Sequence, residues 1–155
     1  MIYQVLLAGH SLNRWAVLAL LIAATARGAS GWIGGRPWAT VDDRVARLMT
    51  GAVDLQLLLG LVLYVGVSPY TRAGWADLAT AMTDRVLRFW TVEHGPTMLV
   101  AVVLVHVGRG LARRAATPRS RHHRATTCFG LATLLVLAAI PWPFLPYGRG
   151  LLPTL

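Results

Sequence analysis

Along the chain, four long apolar stretches alternate with shorter polar ones. A helix needs about 20 mostly apolar residues to cross the hydrocarbon core of a bilayer. Residues 5–26, 48–67, 89–107 and 127–147 meet that length. The pattern predicts an all-α integral membrane four-helix bundle, one domain over residues 1–155, with both termini on the same side. The fourth stretch contains Ile140-Pro141-Trp142-Pro143-Phe144. Two prolines there withhold backbone donors, so its regular helix is expected to stop near Ile140. The first stretch has the outline of a secretory leader, with Arg14 ahead of an apolar run and Ala24-Thr25-Ala26 near its end. We expect it to be retained as a true span. Between the second and third stretches, residues 73–85 contain few helix breakers and predict one short interfacial helix.

Composition supports a lipid solvent. Apolar residues make up 55% of the chain and charged ones only 14%, against about a quarter charged in soluble domains. Six Trp suit the headgroup zone. Trp75, Trp90 and Trp142 are expected at the outer interface, Trp32 and Trp38 at the inner one. The single cysteine, Cys128, excludes an intramolecular disulfide and a CxxCH haem attachment, and reads as a helix-packing residue.

The net charge is +9, and every basic residue is Arg. Ten lie in two of the connecting loops: Arg27, Arg36, Arg44 and Arg47, then Arg109, Arg113, Arg114, Arg119, Arg121 and Arg124. The opposite side holds Arg72, Arg85, Arg88 and Arg149. The positive-inside rule puts the Arg-rich loops in the cytoplasm and both termini outside. The run Arg119 to Arg124 reads as a solvated cytoplasmic loop rather than a nucleic-acid or anionic-lipid patch.

Ionisable residues within spans are costly, so each is a candidate for function. The spans hold His10, Arg14, Asp54, Glu93, His94 and His106, with uncharged Asn13 and Gln56. His10 and His94 each lie five residues past the outer start of an inward-running span. Both therefore sit about 8 Å below that end, at one level. Two facing imidazoles at one depth could ligate a haem iron. Arg14 shares a face with His10 and could pair a haem propionate or Glu93. Asn13 could orient an imidazole. Gly9 and Gly95 could admit a flat ligand or serve close helix packing. Met98, one turn past His94, makes a His/Met copper site conceivable, although packing is the ordinary role of such a residue. His106 is about 18 Å deeper than His94 and about 120° around the helix. It is read as a group hydrogen-bonded inside the bundle, or on a proton or quinone path, with Asp54 or Gln56 as partner. No fourth buried histidine is expected.

Three runs carry a resemblance: His10-Ser11-Leu12-Asn13-Arg14-Trp15, Arg88-Phe89-Trp90-Thr91-Val92-Glu93-His94 and Ala139-Ile140-Pro141-Trp142-Pro143-Phe144. In that order they are similar to motifs of small bacterial four-helix membrane proteins known as cytochrome b-like. The resemblance spans nearly the whole chain. It implies one haem b carried by His10 and His94 in a multi-pass protein of the bacterial cytoplasmic (inner) membrane. Electron transfer, with a quinone or a larger membrane electron-transfer complex as partner, is then expected rather than stand-alone enzymatic activity. The other reading is a haem-free accessory subunit of a respiratory or photosynthetic complex, with His10, Arg14, Glu93 and His94 as a buried packing network.

Overall fold

The structure is a computed structural model that describes residues 1–153. Every regular element among them is helical. Helix α1 (Ile2–Gly34) runs well past the first apolar stretch. It stops where Gly35 takes the left-handed conformation, at φ 65°. Helix α2 (Thr40–Leu61) follows a short turn. Asp42 starts it by accepting the Ala39 N–H at 2.8 Å. The same buried carboxylate binds Arg27 at 2.8 Å and Arg36 at 3.0 Å, tying the turn to α1. The helix continues into a π-helical turn, Val62–Val67, closed by the Ser68 N–H on the Leu63 carbonyl.

Residues 68–88 form three short helices, not the single one expected over 73–85. These are α3 (Pro69–Ala76), α4 (Leu78–Thr83) and α5 (Arg85–Arg88). Asp77 and Asp84 make the breaks. Each carboxylate accepts backbone N–H groups of the helix that follows it, so each ends one helix and caps the next. A second π-helical turn, Phe89–Glu93, leads into α6 (His94–Arg113). Helix α7 (Pro118–Ala139) is capped by the Thr117 hydroxyl and begins with proline. It ends at Ala139, as the prolines predict. Ile140 is extended ahead of Pro141, and the stretch from 140 to 147 is irregular rather than helical.

Three continuous helical stretches are long and apolar enough to cross a membrane: Ile2–Gly34, Thr40–Val67 and Arg85–Arg113. Helix α7 is more polar, because its first turns carry Arg119, Arg121, His122, His123 and Arg124. It packs along both α1 and α6, while α2 packs along α1 and more briefly along α6. The four long helices thus form a ring around a core that includes Leu21, Met49, Val105 and Phe129. Cys128 is buried against Gly108, where any Cβ would overlap it. Arg149 donates to the Tyr3 hydroxyl at 3.1 Å, so the tail after α7 meets the start of α1 at one end of the ring.

Two expectations about the basic run change. Residues 119–124 belong to α7 rather than to a loop, and His122 is fully buried. His122 shares a helix face with buried Ala125, Phe129, Ala132 and Val136. Its ring fills the space beside Gly31 and lies 4.8 Å from the Trp38 ring.

Candidate functional site

A cavity of about 350 Å³ lies among α1, α2, α6 and the start of the C-terminal tail. Its wall is mainly apolar, with Leu7, Val17, Val53, Leu57 and Val102 among the lining side chains. Leu61 and Leu99 line it and are also about half exposed. The cavity therefore opens sideways between α2 and α6.

His10 and His94 both face this cavity. Their ring centres are 6.4 Å apart, with planes inclined at 66°. Matching levels on α1 and α6, which run in the same direction, bring them together. His94 Nδ1 lies 3.0 Å from the Ala139 carbonyl. A carbonyl only accepts, so Nδ1 carries the hydrogen and the neutral ring keeps its lone pair on Nε2. Phe89 and Trp90 pack around the same ring at 5.5 and 5.3 Å. His10 Nδ1 is buried without a partner. Its ring lies against α2 at Gly60, where a Cβ would stand 3.1 Å from Cε1.

Two cations line the cavity. Arg14 is buried, and its Nη2 donates to the Leu151 carbonyl at 2.9 Å. Its Nε is buried with no partner. Arg149 lies over the Trp90 ring at 4.4 Å. Among the described residues, neither guanidinium pairs with a carboxylate. Tyr3 and Arg149 are site residues that sequence reasoning missed. Only the folding-back of the tail brings Arg149 near α1, and no spacing in the sequence announces that.

Several expected contacts are replaced. Glu93 pairs with Arg88 at 2.6 Å, not with Arg14 or His94, and does not line the cavity. Consecutive helical residues point about 100° apart, so Glu93 and His94 do not share a face. Asn13 touches no imidazole. It donates to the Ala52 carbonyl at 2.9 Å and to Gln56 Oε1 at 2.8 Å. Gln56 in turn donates to the His10 backbone carbonyl at 3.0 Å. Asn13 therefore steadies the His10 backbone through Gln56. The room beside Gly95 is taken by the Tyr64 ring, whose hydroxyl donates to the Thr91 carbonyl. Gly9 meets only Leu59.

His106 does find Asp54, at 2.8 Å, while Gln56 turns the other way. Both side chains of that pair are 49% exposed, so they face outward rather than into the ring. Among the described residues, no group of three or more His, Cys, Asp or Glu could hold a metal ion. Met98 lines the cavity, as does His94. Compared with protein families, with curated proteins and with solved structures, the chain matches none.

Proposed function

We propose that the chain is a single-haem, b-type membrane cytochrome, with His10 and His94 as axial ligands. The observation that carries this reading is the 6.4 Å separation of the two rings. Two metal–imidazole bonds of about 2 Å, each extended by about 1 Å to the ring centre, put axial imidazoles about 6 Å apart. The bond from His94 Nδ1 to Ala139 supports it, because ligating imidazoles usually donate their other N–H to a carbonyl or carboxylate. The cavity volume suits a large planar ligand bearing carboxylates, as do the guanidiniums of Arg14 and Arg149, which meet no carboxylate among the described residues.

Bound haem would supply a one-electron carrier. The chain's own residues hold and tune it. His94 is fixed in one tautomer by Ala139, His10 is held by Gly60 and Gln56, and Arg14 would neutralise a propionate. In the same reading α7 joins the three apolar stretches as a fourth membrane helix, since it is wedged between two of them. The Arg-rich end faces the cytoplasm of a bacterial inner membrane and the termini face outward, which sets His10 and His94 near the outer face, where a bound haem would supply its one-electron chemistry.

A reduced-minus-oxidised absorption spectrum of protein made with ample haem tests the reading. The expected result is a b-type band that is lost in both His10→Ala and His94→Ala. A well-folded protein with no haem band would overturn it. If both variants lose stability alone, the haem-free packing network is the better account. A second reading, a quinone site, draws on the sideways opening at Leu61 and Leu99. It predicts that a quinone analogue binds the haem-free protein and that His94→Ala abolishes this binding.

A further inference from the structure

Asp54 and His106 form a hydrogen-bonded pair in the inner half of the apolar belt, yet both point away from the ring. Leu55, Leu58, Val103 and Val107 around them are each 46–62% exposed. Ionisable side chains in a membrane nearly always face a bundle interior or a water-filled cavity. A pair set among lipid-facing leucines and valines calls for a cover that lipid does not provide. Gly51 and Gly110 sharpen the point. Gly51 lies three residues before Asp54, and Gly110 lies four after His106. Helices α2 and α6 run antiparallel, so both glycines stand about one turn from the pair, toward the Arg-rich end. A Cβ at either glycine would meet nothing within 4 Å. The two helices thus present a notch beside a polar pair, the kind of surface on which membrane helices associate.

We infer that this face binds a second copy of the same chain. The chemistry of the patch is self-complementary, as a two-fold interface requires. Within one copy the bond uses His106 Nε2 and Asp54 Oδ1. Among the described residues, His106 Nδ1 and Asp54 Oδ2 have no partner. A two-fold rotation brings Nδ1 of each copy to Oδ2 of the other. With both imidazoles protonated, every ring nitrogen donates to a carboxylate. Two cations and two anions then form a closed cluster of zero net charge. The glycine notches let the backbones approach closely enough for those bonds.

The test uses the full chain reconstituted at low density in phosphatidylcholine–phosphatidylglycerol vesicles. Leu55→Cys, next to Asp54, is compared with Leu134→Cys, an exposed site on α7. Copper-phenanthroline oxidation is expected to link Leu55→Cys copies into disulfide dimers and to leave Leu134→Cys monomeric. Adding Asp54→Leu or Gly51→Leu is expected to lower the dimer fraction about five- to tenfold at fixed density. Gly51→Leu enters open space, so unchanged helicity and melting temperature would show that the fold is intact. Equal linking at both cysteines, a monomer at every density, or a dimer indifferent to Asp54→Leu and Gly51→Leu would overturn the inference. So would a Leu55→Cys adduct of a different mass formed only in native membranes.

Discussion

His10 and His94 reach the same cavity with unequal support. The His94 ring is hydrogen-bonded directly to the backbone of α7. His10 depends on a chain of amides, in which Asn13 holds Gln56 and Gln56 holds the His10 carbonyl. Gln56→Leu is therefore expected to cost about 1–2 kcal/mol, because it removes two hydrogen bonds and strands part of Asn13. Thermal unfolding in detergent, with and without added haem, would read this loss. The larger drop is expected in the haem-loaded protein. The shared level of the two histidines was legible in the sequence, since rise per residue converts position into level. The partners of Arg14 and Glu93 were not. Glu93 pairs instead with Arg88, five residues earlier, and Arg14 is met by Leu151, far along the chain.

Among the elements, caps and breakers govern the layout more than hydropathy does. Apolar content located α1, α2 and α6 but misjudged their ends. Helix α1 continues through polar residues until Gly35 stops it, and α7 begins at the Thr117-Pro118 signal, ahead of its apolar part. The two π-helical turns leave no comparable mark in the sequence. They are held by tertiary contacts such as that of Tyr64 with Thr91. Asp42 is the most heavily used cap, serving Ala39, Arg27 and Arg36 together. Asp42→Ala is expected to destabilise the protein by about 2–3 kcal/mol, since it removes a cap and leaves two guanidiniums without their shared anion. Gly31→Leu acts on a different seam. It drives a side chain into the His122 ring, forcing α1 away from α7, at a cost of about 2 kcal/mol. Chemical unfolding of each variant checks these figures. A Gly31→Leu protein as stable as the parent would mean that α1 and α7 slide freely.

For the molecule as a whole, the arrangement of charge makes a topological prediction. Arginines of the α1–α2 turn and of the start of α7 lie at one end, and residues 69–88, the start of α1 and the tail near Arg149 lie at the other. In intact cells, Ala79→Cys is expected to react with a membrane-impermeant thiol reagent, and Ala116→Cys only after permeabilisation. The reverse pattern would invert the proposed orientation. Buried Cys128 provides a low background for this measurement.

The shared level of His10 and His94 carries an electrical consequence. In the proposed orientation the pair lies about 8 Å inside a hydrocarbon layer about 30 Å thick. A charge arriving there from the outer face falls through about a quarter of the transmembrane voltage. At about 2.3 kcal/mol per elementary charge per 100 mV for the full crossing, that amounts to about 0.6 kcal/mol. Traffic with the outer face would thus barely respond to the energised state of the membrane. An electron delivered from the cytoplasm would have to work against, or draw on, most of the field.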